Sequence, residues 1–224
     1  MELQVEEYSG AAPLWRHVCP DGAATCYQVS MKQQDIDRFF RVLSQEWPHP
    51  TRIILTGGVL ARLFGGERPT LDIDFEAQTK DFELFSKALE RVKKITKILP
   101  QFSADIDHWS QVSLLDYREH LVPYKQFGSI KVFLMDPAHW SIGKIARYYN
   151  QDAVDLATVF TKTKPDPLTI AKVWRKALIK SPPSTTLFGV KKNAIHFFKT
   201  HGQSIWGQQL DIGKVVEILS AEAK

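Results

Sequence analysis

ILTGGVLARLFGGERPTLDIDFE, residues 54–76, decides how this chain is read. The apolar run RIIL leads into it and predicts a strand that enters Gly57-Gly58. VLARL then predicts a short helix, stopped by the second glycine pair, Gly65-Gly66. TLDIDFEA predicts the next strand. Side chains on a strand alternate faces, so Asp72 and Asp74 share one face while Ile73 occupies the other.

Two adjacent carboxylates repel, and burying them is costly unless something neutralises them. A divalent cation does so. Mg2+ takes oxygen ligands, commonly one or two carboxylates together with substrate phosphates; Mn2+ suits the same donors. Asp72 and Asp74 therefore read as a metal clamp for phosphoryl chemistry. Gly57 and Gly58 stand where a strand hands over to a helix, and glycine lets the backbone approach a phosphate closely. Arg62 and Arg68 would add charge-assisted contacts to phosphate oxygens, and Thr56 would contribute a hydroxyl. A glycine pair alone is usually a turn, and a lone D-x-D is usually solvated. Their combination within about twenty residues has few purely structural explanations.

Outward from this window the chain reads as alternating helices and strands. MKQQDIDRFFRVLSQEW carries Ile36, Phe39, Phe40, Leu43 and Trp47 at helical spacing, and PHP ends it. KDFELFSKALERVKKI predicts an amphipathic helix, and SQVSLLDY and GSIKVFLM predict two strands. DPAHWSIGKIARYYNQDAVDLATVF predicts one or two helices, with Asp136 as N-cap and Pro137 at the first helical position. Everything from Pro165 on reads as helix, broken by SPPSTT. The expectation is an α+β fold: a small mixed sheet with flanking helices over residues 1–160, then a basic helical region over 161–224.

The arrangement TGGVLARLFGGERPTLDIDF resembles the signature of the nucleotidyltransferase superfamily, the fold of DNA polymerase beta. It is most similar to small bacterial members such as the AbiEii-type toxins of toxin–antitoxin systems. The later stretch is similar to a second motif of that family, in which a lysine and an arginine precede a D-x-x-D helix. Here these residues are Lys144, Arg147, Asp152 and Asp155. The resemblance covers roughly residues 50–160. It implies transfer of a nucleoside monophosphate from an NTP to an acceptor, with Mg2+ or Mn2+ on Asp72 and Asp74. It also gives Lys144 a nucleotide-phosphate role. The family usually places a third carboxylate on a neighbouring strand, and Asp116 in VSLLDY is the candidate. Asp105 and Asp107, a second D-x-D, compete with it but read as loop. Asp152 and Asp155 read equally well as salt-bridge partners on a helix surface.

The implied partners are an NTP and an RNA acceptor, with tRNA a specific case, or a protein hydroxyl; a toxin would also pair with an antitoxin. Two other readings stay open: a nucleotidyltransferase-like binding module that has lost activity, and a small-molecule enzyme of the aminoglycoside-modifying kind. The charge distribution bears on the acceptor. From residue 161 on, eleven Lys/Arg face four Asp/Glu, a net of +7, while the rest of the chain carries −3. A basic appendage suits a polyanion, although a solvated helical surface explains it equally well. Within it, Lys191, Lys192 and Lys199 interleave with Phe197 and Phe198, a composition shared by RNA-facing surfaces and by amphipathic helices. Trp174 and Trp206 read as core.

The seven histidines show no metal-ligand spacing, and no P-loop, dinucleotide or G-x-S-x-G motif occurs. His108, beside Asp107, reads as a surface residue. Cys19 and Cys26 read as reduced cysteines. The acidic start MELQVEEYSG does not resemble a secretion signal, and no apolar run is long enough to span a membrane, so the expected location is the cytoplasm, away from membranes.

Overall fold

The computed structural model describes residues 31–221. Cys19 and Cys26 lie outside them. The fold is α+β: a mixed five-stranded sheet and eight α-helices among the described residues.

Helix α1 (Gln33–Glu46) buries Ile36, Phe39, Phe40 and Leu43 as their spacing predicts. Trp47 closes it, and its indole N–H donates to Thr51 Oγ1 at 2.7 Å, tying the helix end to the first strand. Strand β1 (Thr51–Leu55) runs into helix α2 (Gly57–Leu63), and β2 (Asp72–Gln78) returns antiparallel to β1. Gly65 and Gly66 end α2 in a Schellman turn: Gly66 N–H donates to Ala61 C=O and Gly65 N–H to Arg62 C=O. Gly65 takes φ +92°, which only glycine adopts without strain.

Helix α3 (Phe82–Thr96) follows, capped by Asp81, and packs on α1. Strands β3 (Leu99–Ser103), β4 (Val122–Phe127) and β5 (Ile130–Leu134) complete a sheet of order β3-β2-β1-β5-β4. β3 runs parallel to β2, and β5 parallel to β1.

The strand expected at SQVSLLDY does not form. Residues 104–121 are a connecting segment with two single 3₁₀ turns, at Ile106–Trp109 and Tyr117–Glu119. Val112, Leu114 and Tyr117 are buried, but their backbone makes no ladder. Side chains satisfy it instead: Ser113 N–H donates to Ser181 Oγ at 2.8 Å and Leu114 N–H to Asp107 Oδ1 at 2.6 Å. Local side-chain acceptors of this kind compete with sheet pairing.

Helices α4 (Pro137–Arg147) and α5 (Asn150–Thr163) realise the DPAHW…VF stretch as two helices. Asp136 accepts from the N–H groups of Ala138 and His139, with Pro137 at the first helical position. Helices α6 (Pro167–Lys180), α7 (Thr185–Trp206) and α8 (Ile212–Ser220) follow. All five of these helices pack together, so the bundle begins at α4 and α5 runs through residue 160. Buried apolar residues from Met31 to Leu219 form one contiguous core. Trp174, Phe197 and Phe198 lie inside it, in edge-on contact with one another, which takes these three rings out of contention as base-stacking platforms. Trp206 stacks on Phe198 and donates to Pro165 C=O. No helix among the described residues is long and apolar enough to cross a membrane.

Candidate active site

The Gly57-Gly58 turn and the D-x-D strand meet as the sequence predicts. Gly57 has φ +63°, and a Cβ added there would fall 1.8 Å from Asp74 Oδ2. Only glycine lets the Asp74 carboxylate lie against this turn. Gly58 N–H donates to that carboxylate, and Thr56 N–H donates to the Asp74 backbone carbonyl at 3.0 Å. From the opposite side Trp140 of α4 donates its indole N–H to Gly57 C=O at 3.0 Å, fixing the turn.

Asp74 lines a cavity of about 220 Å³ with Thr56, Gly57, Gln101, Trp140, Lys144 and Arg147. Ser110 and Leu114 of the connecting segment close part of its wall. Burial pushes the Asp74 carboxyl up to about 6, and the neighbouring Asp72 charge adds to the push; the Gly58 N–H, Lys144 and Arg147 counter only in part. Asp72 is better served. Thr70 Oγ1 donates to one of its oxygens at 2.8 Å and Gln101 Nε2 to the other at 2.9 Å.

The D-x-D strand lies between β1 and β3, and on β3 Gln101 stands opposite Asp74. Asp116 does not supply the expected third carboxylate. It sits in the connecting segment, not on a strand, and its oxygens pair with Lys176 of α6 at 3.1 Å. Its own backbone N–H and the Lys176 ammonium hold its carboxyl down at about 2. The second D-x-D is structural: Asp105 caps the 3₁₀ turn and pairs with Arg118 at 2.9 Å, while Asp107 accepts from Leu114 N–H. His108 is exposed, as expected.

The second motif folds into a charge network beside the cavity. Arg68 forms a two-pronged pair with Asp155, Nε to Oδ1 and Nη2 to Oδ2, both at 3.1 Å. Lys144 is buried and reaches Asp155 Oδ2 at 2.7 Å and Asp152 Oδ1 at 3.0 Å. Arg147 takes Asp152 Oδ1 at 3.0 Å with its side chain 59% exposed. Burial alone would raise the Asp152 carboxyl, but Lys144 and Arg147 outweigh it and hold it below its usual value. Three cations thus face two anions, leaving one net positive charge next to Asp72 and Asp74. Lys144 is committed to two carboxylates, whereas Arg147 is the cation open to the cavity mouth. Arg62 is elsewhere: its guanidinium donates to the carbonyls of Met31 and Gly66, bracing the end of α2.

Several contributors carry no motif signal. Glu76 continues the period-two pattern of Asp72 and Asp74, and that continuation was its only signal in the sequence. It is fully buried and accepts from Arg118, from Gln78, from the Ile106 N–H and, very closely, from the Tyr117 hydroxyl. It anchors the connecting segment to β2. Gln101 had no signal, because LPQFS does not read as a strand. A third group is assembled only in space: Asp116, His120 and His139 bring their ligand atoms within 4.8 Å of one another and could hold a metal ion.

No known family model, no curated protein and no solved structure matches the chain.

Proposed function

We propose that the cavity at Asp72 and Asp74 binds a nucleoside triphosphate with Mg2+ or Mn2+ and that the protein is a nucleotidyltransferase. The observation that carries this reading is the contact of Asp74 with Gly57. A carboxylate with a raised pKa lies against a glycine turn, two residues from a second carboxylate on the same strand face, with a net positive network alongside. The donors fit the ion: Asp72 and Asp74 supply the hard oxygens that Mg2+ prefers, and the under-neutralised Asp74 is stabilised when a cation arrives. Bound there, the ion would polarise phosphate oxygens and offset charge developing in transfer. Arg147 is placed to meet phosphate oxygens. In the reaction an acceptor hydroxyl attacks the α-phosphorus and gives up its proton to water, the bond from the α-phosphorus to the oxygen bridging to the β-phosphate breaks, and pyrophosphate leaves with that oxygen. At about 220 Å³ the cavity is smaller than the roughly 300–1,000 Å³ typical of drug-sized ligand sites, so base and acceptor extend into its open mouth. The basic C-terminal region suits an RNA acceptor.

A second reading is favoured by one observation. Gln101, an amide, stands where a third carboxylate would complete the metal clamp. On this reading the protein binds nucleotide without turnover and acts as a sensing or partner-binding module. Incubation with each labelled NTP and Mg2+ against total RNA and total protein separates the two, with Asp74→Asn alongside. Label on an acceptor that vanishes in the variant supports transfer. Saturable NTP binding with no labelled acceptor supports the binding module. No binding and no transfer by folded protein sinks both.

A further inference from the structure

We propose that Asp116, His120 and His139 form a second metal site, for a divalent transition ion of the zinc class, separate from the Asp72–Asp74 clamp. His139 Nε2 lies 3.6 Å from Asp116 Oδ1, and His120 Nε2 lies 3.7 Å from Asp116 Oδ2. These separations are too long for hydrogen bonds. They are close to the edge of about 3.3 Å between two ligands of a tetrahedral ion with bonds of about 2.0–2.1 Å. The donors therefore stand apart by about the width of an ion.

His139 is the anchor. Its side chain is only 5% exposed, and Asp136 Oδ2 lies 2.5 Å from its Nδ1. Asp136 is itself held as the N-cap of α4. The carboxylate accepts the Nδ1 proton, which leaves Nε2 facing Asp116. A carboxylate behind a histidine is the arrangement that orients imidazole ligands on metals. His120 comes from the solvent side and stacks on His139, ring centroids 4.7 Å apart and 12° from parallel. Being half exposed, it is free to turn its Nε2 onto the ion.

Two imidazoles and one carboxylate favour zinc, cobalt or nickel over magnesium or calcium, which take all-oxygen sets. In the metal-free protein Lys176 neutralises Asp116, and its exposed side chain can withdraw as the ion enters. The site would join two walls of the cavity. Asp116 and His120 belong to the connecting segment that carries Ser110 and Leu114, and His139 sits one residue before Trp140. An ion here pins the segment to α4.

The test is titration of chelator-treated, full-length protein with Co2+ alone, followed by displacement with Zn2+. The expected result is one Co2+ per chain with the visible absorption of tetrahedral cobalt, abolished by Zn2+. His120→Ala, at an exposed position that folding tolerates, should weaken binding at least 100-fold, and Asp136→Asn by about 10–100-fold. Asp72→Asn should leave the cobalt spectrum unchanged. Absence of the absorption band, its persistence in His120→Ala, or its loss in Asp72→Asn would each overturn the proposal. None of these results depends on whether the protein transfers nucleotides.

Discussion

Gln101 on β3 donates its side-chain amide to Asp72 at 2.9 Å while standing opposite Asp74 in the parallel β2–β3 register. An amide so placed orients one carboxylate and adds no charge. A glutamate at the same place would give three carboxylates on one rim against a single net positive charge alongside. Gln101→Glu is therefore predicted to lower the stability of the metal-free protein by about 1 kcal/mol, by like-charge repulsion and the lost Asp72 hydrogen bond. It should also tighten Mg2+ binding by about tenfold or more, since ligand charge count sets the affinity for hard cations. Calorimetric Mg2+ titration and denaturant unfolding of both proteins measure the two effects. Unchanged Mg2+ affinity would show that Gln101 does not face the ion.

Asp74 makes a prediction with a defined sign. Its carboxyl is near 6 in the folded protein and 3.8 when unperturbed. The folded state holds this proton more tightly, so the contribution is fully present below pH 3.8 and is lost as pH rises to about 6. Asp74→Asn removes that loss. The variant should be more stable than wild type above pH 6, by about 1–3 kcal/mol, and should show no advantage near pH 4. Mg2+ should raise the wild-type melting temperature at pH 8 and leave the variant's unmoved. Thermal scans at pH 4 and pH 8, with and without Mg2+, decide it. A variant less stable at pH 8 contradicts the account.

What the sequence made legible here follows from which interactions are local. Helix α1, the glycine turn and the D-x-D strand each declare themselves within a few residues, through periodicity, a φ that only glycine takes, and alternation. The two strands that escaped notice, β3 and β4, both lie at the sheet edges and carry prolines, Pro100 and Pro123. Proline weakens a strand's sequence signal and is tolerated where one side of the ladder is open. SQVSLLDY misled for the opposite reason. Its apolar spacing is that of a strand, but Ser181 and Asp107 take its amide protons, and Leu115 turns through φ +61°. Asp116 followed that error out of the site. Asp72, Asp74, Gly57 and Gly58 came together because one β-strand and one turn carry them. His120 and His139 are 19 residues apart and meet only through the packing of α4, so no spacing rule could pair them.

Glu76 governs acid stability. Burial would raise its carboxyl, but the hydrogen bonds from Arg118, Tyr117, Gln78 and the Ile106 N–H outweigh burial and hold it below the usual 4.5. A lowered folded pKa contributes stability that is present above about pH 4.5 and lost as pH falls through the folded value. Glu76→Gln leaves Arg118 with Asp105 alone and is predicted to cost about 3 kcal/mol at pH 7. The difference from wild type should shrink as pH drops below 4.5. Urea midpoints at pH 7 and pH 3.5 test this. A constant difference at both pH values would mean that packing, and not the charge, is what the variant loses.

Lys144 and Arg147 differ in burial, and that difference sets an order of effects. Lys144 is buried between Asp152 and Asp155, so Lys144→Met strands part of two buried anions and should cost about 3–5 kcal/mol. Arg147 is 59% exposed, and buried Asp152 keeps Lys144 as a partner when Arg147 is removed, so Arg147→Met should cost about 1 kcal/mol or less. Adding Asp152→Asn to Lys144→Met removes one stranded charge and should recover more than about 1 kcal/mol of the loss, a non-additivity expected of residues in one network. Guanidinium unfolding of the two single variants and the double variant gives all three numbers. Nucleotide affinity should rank the single variants the other way, because Arg147 faces the cavity mouth and Lys144 is spent on its own carboxylates. If Lys144→Met unfolds no more easily than Arg147→Met, the buried network is not what joins α4 to α5.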